Sequence, residues 1–542
     1  MSAVKYSKTG RFIDLVKENA ENGKNIQHPA ITINPCGKHI DISFEEYYNV
    51  VCHSANYFYD KLNSLNFANS RNVGFLSMSD SHYLWNVLGL MSINAAPVML
   101  SPRNSFEATI QLLKESNAQA LVYQEYFEGF AKKVKEYMPE LVLIPKWIAE
   151  FPECLSPQEH KLLVPLESQE KELENVAYIL HSSGSTAHPK LIAQPNRVCH
   201  NSAHRTRVEA APYNNKEISF LPLFHAGGIV SFVVISIYLA KAIIMVPDLA
   251  IGSHFSSKMI LDMIQELRPT HLMILPLMVK ELVEYCDQVE KSQGWDIFKI
   301  VKVVRYGGAQ LPRVMISALF DNGICPQSSY GSTECSVLLK CIPDRNSEHL
   351  TVLTPIDELR YKLKDWGESV YELIILGDDP CLARVRDEDK DEEGNFPTKD
   401  LFQVLSHEPL LLNYLSRADD TIIHVNGEKT NPLPMEDKIN RCPYIDRCAI
   451  LGTGQQMNTL LVQLNVKEVM ASSLSEVLSS IKSFIKLAND SAPSHSRIYE
   501  EMIYYLPMGS EKKLPGTMKG NLQRNLCAKM FKEEVKKTVE KM

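Results

Sequence analysis

Residues 72–124 read NVGFLSMSDSHYLWNVLGLMSINAAPVMLSPRNSFEATIQLLKESNAQALVYQ. The run NVGFLSM (72–78) is apolar and fits a buried strand. Residues 79–95 then space their apolar side chains as a helix does. APVML and its flanks (95–101) return to strand, 105–118 to helix, and QALVYQ (119–124) to strand. Strands that alternate with helices in this way form parallel sheets covered by helices, because parallel neighbours need a crossover connection. The rhythm recurs downstream. THLMILP (270–276) reads as a strand, the following fifteen or so residues as a helix, and IVKVVRYGGA (300–309) as a strand that ends in glycines. Beyond Arg417 the pattern changes to a smaller α+β unit, with strands at 421–425 and 448–454 and a long helix around 472–490. The expected fold is α/β: a large N-terminal domain of mainly parallel sheets flanked by helices (1–416), then a small α+β C-terminal domain (417–542).

The chain has 542 residues, enough for two or more domains with a substantial core. Hydrophobic residues make up 45% and charged residues 23%, which excludes wholesale disorder. A net charge of −8 argues against nucleic-acid binding over the whole surface. Twelve cysteines occur without any C-x-x-C pair, so free thiols in a reducing, cytoplasmic compartment are expected rather than structural zinc or disulfides. The N-terminus shows no secretory signal. Gly228–Val246 is nearly long enough to span a bilayer, but Lys241 interrupts it and Pro247 closes it. A buried helix followed by a short strand (242–246) is expected there, with no membrane partner.

Six further stretches stand out. YILHSSGSTAHPKLI (178–192) runs from a strand into small hydroxylated residues and glycine. Backbone amides of Ser182, Ser183, Gly184, Ser185 and Thr186 can converge on an anion, with Lys190 adding positive charge. That is a polyphosphate cradle but not a Walker loop, since G-x-x-x-x-G-K-[ST] is absent; a flexible Ser/Gly linker is the competing explanation. Tyr330-Gly331-Ser332-Thr333-Glu334 places a carboxylate beside a hydroxyl, a pairing that suits Mg²⁺ held partly by phosphate oxygens. Taken alone it is equally a turn with a surface Glu. Gly307, Gly308 and Ala309 end a strand where a flat base could approach the backbone. Asp400, in KDLF (399–402), could accept ribose hydroxyls, and Arg417 could pair with the same sugar or a phosphate; surface charges explain each equally well in isolation. The remaining two stretches, NGEK (426–429) and LPGTMKGNLQR (514–524), read as a hairpin turn and a basic loop. The charge run RDEDKDEEG (386–394) reads as a solvated surface loop.

In order and spacing these motifs resemble the adenylate-forming superfamily of acyl-CoA ligases, luciferases and peptide-synthetase adenylation domains. The resemblance runs from about residue 20 to 535. It is nearest in wording to adenylation domains of fungal carboxylic-acid-reductase-like and aminoadipate-reductase-like enzymes, through PLFHAGG (222–228), YELIILGD (371–378), KDLF and HVNGEKTNPLPME (424–436). It implies ATP and Mg²⁺ as cofactors, a carboxylic acid as substrate, and transfer of the acyl group to coenzyme A or a carrier-protein thiol. Within the sequence no carrier or reductase motif follows these, so the acceptor is expected in trans.

By the same resemblance, 182–190 is the phosphate loop and 307–309 the adenine-contacting strand end. Tyr330 stacks on adenine, Thr333 touches the α-phosphate and Glu334 holds Mg²⁺. Asp400 binds ribose with Arg417 as companion, Asp419 is the hinge of a mobile C-terminal lid, and His225 is the gate between the ATP and acyl pockets. Three positions depart from the family. Ala187 and Ser416 each replace a usual glycine, and Asn521 stands where the catalytic lysine is expected. Lys519, two residues earlier, is assigned that role. The catalytic set is therefore Lys519, His225, Thr333 and Glu334. The departures also keep open a degenerate relative that binds nucleotide or a partner without turnover. A serine hydrolase is excluded by the lack of any G-x-S-x-G elbow.

Overall fold

A computed structural model describes residues 9–23, 28–33, 39–65, 70–181, 189–206, 216–246, 254–341, 350–367, 369–418, 420–425, 428–490, 492–516 and 522–539. The chain divides into two compact units. Among the described residues, the first holds those up to Arg360 together with Ile375–Phe396; the second holds Tyr361–Ile374 and those from Pro397 on. The expected 417–542 domain lies wholly in the second unit, which also takes in the preceding twenty residues.

In chain order the strands of the first unit are β1 (Ile31–Ile33), β2 (Ile40–Ile42), β3 (Asn72–Leu76), β4 (Ala96–Leu100), β5 (Ala120–Tyr123), β6 (Val142–Pro145), β7 (Val176–His181), β8 (Leu191–Pro195), β9 (Glu217–Ser219), β10 (Ile243–Ile244), β11 (His271–Met273), β12 (Val303–Gly307), β13 (Cys325–Ser332), β14 (Ser336–Cys341) and β15 (Thr354–Pro355). They form two sheets, ordered β6-β5-β3-β4-β7-β8 and β15-β14-β13-β12-β11-β9-β10-β1-β2. Both are parallel in their middles and antiparallel at the edges, where β7 meets β8, β1 meets β2 and β13 meets β14.

Helices cover these sheets, among them the two expected at 79–95 and 105–118. α1 (Asp14–Asn22), α2 (Phe44–Leu62), α3 (Ser81–Ser92) and α4 (Phe106–Glu115) are the first four. Asp80 and Ser105 cap the N-termini of α3 and α4 through bonds to the amides of Tyr83 and Ala108, which satisfies donors that a helix start leaves open. α3 is buried nearly all round, with Tyr83, Trp85 and Leu88 in the core; this is why its sequence looks apolar rather than amphipathic.

The apolar stretch after PLFHAGG breaks into three pieces. Ala226–Gly228 is one helical turn, Ile229–Val234 is a π-helix, and Ile235–Leu239 returns to α before β10. No helix among the described residues is long and apolar enough to cross a membrane. The interrupting Lys241 is buried and bonded to Glu217 at 2.6 Å, and Arg305 reaches the other carboxylate oxygen at 2.9 Å. Two cations around one buried carboxylate hold Glu217 down at about 2, against the desolvation that burial imposes.

The second unit opens with an antiparallel sheet that the alternating pattern does not announce: β16 (Tyr361–Gly367), β17 (Val370–Ile375), β18 (Phe396–His407) and β19 (Leu410–Arg417). Then come the short hairpin β20 (Ile422–Ile423) and β21 (Lys429–Thr430), and a three-stranded sheet of β22 (Ile445–Leu451), β23 (Thr459–Leu464) and β24 (Ile503–Tyr505). Helix Leu474–Asn489 packs on this last sheet through Val477, Ile481 and Ile485. The NGEK turn falls between β20 and β21, as its sequence suggests, although Asn426 and Gly427 lie outside the described residues. All described cysteines are free thiols.

Candidate active site

The first cluster forms at the carboxyl ends of β12 and β13, where open parallel sheets place ligands. The two strands run parallel with Gly307 opposite Ser329, so Gly307, Gly308 and Ala309 leave the sheet beside Tyr330. A Cβ on Gly307 would stand 2.8 Å from the carbonyl oxygen of Ser329, so only glycine permits this spacing. β13 then turns back into β14 with a register shift between Tyr330 and Gly331. A Cβ on Gly331 would meet the carbonyl oxygen of Ser336 at 2.2 Å. The bulge therefore requires glycine; Ser332 still pairs with Ser336 beyond it, and Thr333 and Glu334 form the turn that follows.

The Thr333–Glu334 turn is tied down by its backbone. The buried amide of Gln194, on β8, donates to the Thr333 carbonyl at 2.8 Å, and the Ala383 amide donates to the Glu334 carbonyl at 2.8 Å. The Glu334 carboxylate itself makes no hydrogen bond or ion pair with any described residue and is half-buried. Among the described residues no group of three or more His, Cys, Asp or Glu side chains is gathered for a metal. A single uncommitted carboxylate suits Mg²⁺ that arrives with phosphate oxygens and water as its other ligands, not a resident metal cage.

Gln194 also ties β8, which follows the expected phosphate loop, to this turn. β7 and β8 pair with His181 opposite Leu191, and they bracket the loop. Ser182, Ser183, Gly184, Ser185, Thr186 and Ala187 lie outside the described residues. Lys190 is described and forms an ion pair with Asp389. The charge run 386–394 is therefore more than a solvated loop: it supplies a counter-charge to the lysine beside the candidate cradle. His181 accepts the Ser101 amide proton on Nε2 at 3.0 Å, which makes Nδ1 the protonated nitrogen of the neutral ring.

His225 sits on a separate turn. Its amide donates to the Pro222 carbonyl at 3.1 Å, and its ring lies 4.8 Å from that of Phe224. The π-helix begins four residues later, an irregularity often found at functional sites.

In the second unit Asp400 and Arg417 are direct cross-strand partners of β18 and β19. The buried Asp400 carboxylate faces the Arg417 guanidinium at 3.8 Å and accepts from the Tyr414 hydroxyl at 3.4 Å. Burial, with Asp400 alongside, pushes the Tyr414 phenol far up, so it stays a proton donor. Lys399 adopts a left-handed backbone (φ 61°), uncommon for a side chain of its kind, and its carbonyl accepts the Ala418 amide at 2.6 Å. Asp419, Lys519 and Asn521 lie outside the described residues. The loop that contains Lys519 is closed by a bridge between Gly516 and Leu522, and Arg524 just beyond it is fixed to Glu436 through two bonds of 2.7 and 2.8 Å.

Gln194 and Tyr414 carry no sequence motif, and Asp389 is marked there only as part of the charge run 386–394.

Residues 17–372 match the family model of the AMP-binding enzymes, and residues 419–542 match that of the AMP-binding enzyme C-terminal domain. Adenylate-forming reductase Nps10 of Heterobasidion annosum is 24% identical over 488 residues, covering 86% of this chain and 43% of its own. The chain spans less than half the length of the first such relatives. Among solved structures, the anthranilate CoA ligase AuaEII in complex with anthranoyl-AMP aligns with a TM-score of 0.76 at 16% identity, covering 98% of this chain and 100% of that one. The O-succinylbenzoate coenzyme A synthetase of Bacillus subtilis, in complex with ATP and magnesium ion, aligns with a TM-score of 0.72 at 18% identity, covering 94% and 98%. At these identities the two structures speak for the fold.

Proposed function

Since the chain belongs to the AMP-binding enzyme family, we propose that it joins a carboxylic acid to ATP and then passes the acyl group to a thiol. In the first step a carboxylate oxygen bonds to the α-phosphorus and the bond to pyrophosphate breaks. In the second a thiol attacks the acyl carbon and AMP leaves. The observation that carries this reading is the cradle at 307–309 and 330–334. There two glycines admit no side chain, and Glu334 is left without a partner among the described residues.

The residues divide the work by chemistry. Two anions must meet, so catalysis rests on alignment and charge neutralisation, with no covalent nucleophile on the protein. Mg²⁺, when bound through Glu334, would supply charge neutralisation at the phosphates. Tyr330 and Gly307–Ala309 receive the adenine, Thr333 the α-phosphate, and Ser182–Thr186 with Lys190 the polyphosphate. Asp400 accepts the ribose hydroxyls, flanked by Arg417. Lys519 contacts the carboxylate oxygen, Asp419 is the pivot between the two half-reactions, and His225 borders the acyl group. The acid lacks an amine in this reading, because the run Phe224–Ile229 holds no acidic residue to pair with one. Coenzyme A or a carrier-protein thiol is the acceptor.

Carboxylate-dependent exchange of labelled pyrophosphate into ATP tests the first step, run with aryl, fatty and keto acids in parallel. Exchange with at least one acid, abolished by Glu334→Gln, is expected. ATP binding without exchange across the panel would replace this reading with a nucleotide-binding relative that does not turn over.

A further inference from the structure

We propose that Ser79 is a positioning residue for the segment that carries His225, and that the buried pair Lys146–Asp80 holds Ser79 in place. The proposal rests on the adenylation reading above, and it adds a determinant of acid binding outside the family motifs.

The six-stranded sheet reverses its winding between β3 and β5: the chain leaves β3 toward β4 on one side and leaves β5 toward β6 on the other. The loop that leaves the carboxyl end of β3 flanks the crevice that such a reversal opens. The loops after β3 and β4 each hand one bond to a candidate site segment. From the β4 loop, the Ser101 amide donates to His181, the last residue before the phosphate loop. From the β3 loop, Ser79 Oγ accepts the Leu223 amide at 2.9 Å. Leu223 lies two residues before His225, in the turn closed by the bond from the His225 amide to Pro222.

The β3 loop is fixed on every other side. Lys146, at the end of β6, donates to Asp80 Oδ2 at 2.7 Å and to Ser77 Oγ at 3.1 Å. Both charged side chains are almost fully buried, Lys146 at 2% exposure and Asp80 at 4%. Gln124 Oε1 accepts from the Met78 amide at 2.9 Å and from Ser77 Oγ at 3.2 Å. The next residue of the β6 exit, Trp147, exchanges two bonds of 2.8 Å with the Asn86 side chain on α3. Asp80 meanwhile caps α3 through the Tyr83 amide.

A buried ion pair gains little net stability over an apolar pair, because desolvation offsets its attraction. Its directional bonds do fix geometry. Here they leave one hydroxyl of the loop pointing at the backbone of the acyl-side turn. Loss of that bond lets the turn drift and leaves the strand-end cradle for ATP untouched. The expected signature is therefore a change in affinity for the acid alone.

The test uses the full chain and pyrophosphate exchange with benzoate, decanoate and phenylpyruvate. Ser79→Ala is expected to raise the KM of the accepted acid about fivefold, the effect of one neutral hydrogen bond, with the KM of ATP within about twofold of wild type. Ser79→Thr keeps the hydroxyl and is expected to restore the acid KM. Lys146→Met should reproduce the acid-side defect; where it lowers the melting temperature too far to assay, the two Ser79 variants decide. An unchanged acid KM in Ser79→Ala, equal rises for acid and ATP, or failure of threonine to rescue would each overturn the proposal. Absence of exchange by the wild type with every acid would instead sink the adenylation reading, and this proposal with it.

Discussion

Asp400 and Arg417 stand opposite each other across β18 and β19, with carboxylate and guanidinium 3.8 Å apart, although 17 positions separate them in sequence. The spacing is too long for an optimal ion pair, and Arg417 is partly exposed. The carboxylate also accepts from the Tyr414 hydroxyl at 3.4 Å. Asp400→Ala should raise the KM of ATP about tenfold with a smaller change in that of the acid, as expected when one or two hydrogen bonds to a sugar are lost. Equal effects on both substrates would remove Asp400 from the nucleotide site.

Asp389 should act in the opposite sense. Its pairing with Lys190 neutralises a cation next to the phosphate-loop strands. Asp389→Asn is expected to lower the KM of ATP by about two- to fivefold, the range of a partly exposed ion pair, and the gain should fade at high salt. Steady-state exchange kinetics at two ionic strengths measure both effects.

Gly331 offers a structural test of the cradle. A methyl group there would sit 2.2 Å from a backbone oxygen, so the β13–β14 bulge must move. Gly331→Ala should cost about 1–3 kcal/mol of stability and most of the nucleotide affinity. Thermal unfolding with and without ATP would show a lower melting temperature and a lost ligand shift.

The displaced lysine can be tested directly. Lys519→Ala should reduce the exchange rate about 10²–10³-fold, the usual cost of one charge-stabilising donor, whereas Asn521→Ala should leave it near wild type. The reverse ranking would return the role to position 521.

Acid should weaken the fold over a defined window. Burial holds the His200 imidazole, and that of His271 near the Lys241 ammonium, down from 6.5 to about 4. A histidine with a depressed folded pKa takes its proton more readily once unfolded. Stability is then full above pH 6.5, falls as the pH drops, and stops falling from this cause near pH 4. Urea midpoints at pH 7, 5.5 and 4 should decline in step, and His200→Phe should flatten part of the slope. A midpoint constant over that range would contradict the burial of both rings.

The alternation at 72–124 was enough to reveal parallel sheets, because each strand there is buried on both faces and each helix follows at crossover length. The expected strands at 72–78, 95–101 and 119–124 contain β3, β4 and β5. The antiparallel sheet 361–417 escaped that reading. Its strands β16 and β19 are only partly buried, so they lack a continuous apolar run, and the charge run 386–394 lies between β17 and β18. At the candidate site the short motifs were legible because glycine and paired polar residues are chemically distinctive. Their supports were not. Gln194, Asp389 and Ser79 act through one bond each to chain 139, 199 and 144 residues away, and no local pattern encodes a partner at that distance.

The π-helix at Ile229–Val234 has a consequence for how the segment after His225 could diversify. A wide turn holds one residue more than an α-helical turn of the same span, and one residue corresponds to roughly 100° of rotation about the axis. Deleting a single residue there would allow ordinary α-helical winding while the side chains on either side keep their bearing, so only the wide turn itself would change. Gain or loss of one codon could thus remodel that turn in a single step, without disturbing the strand ends at 307–309.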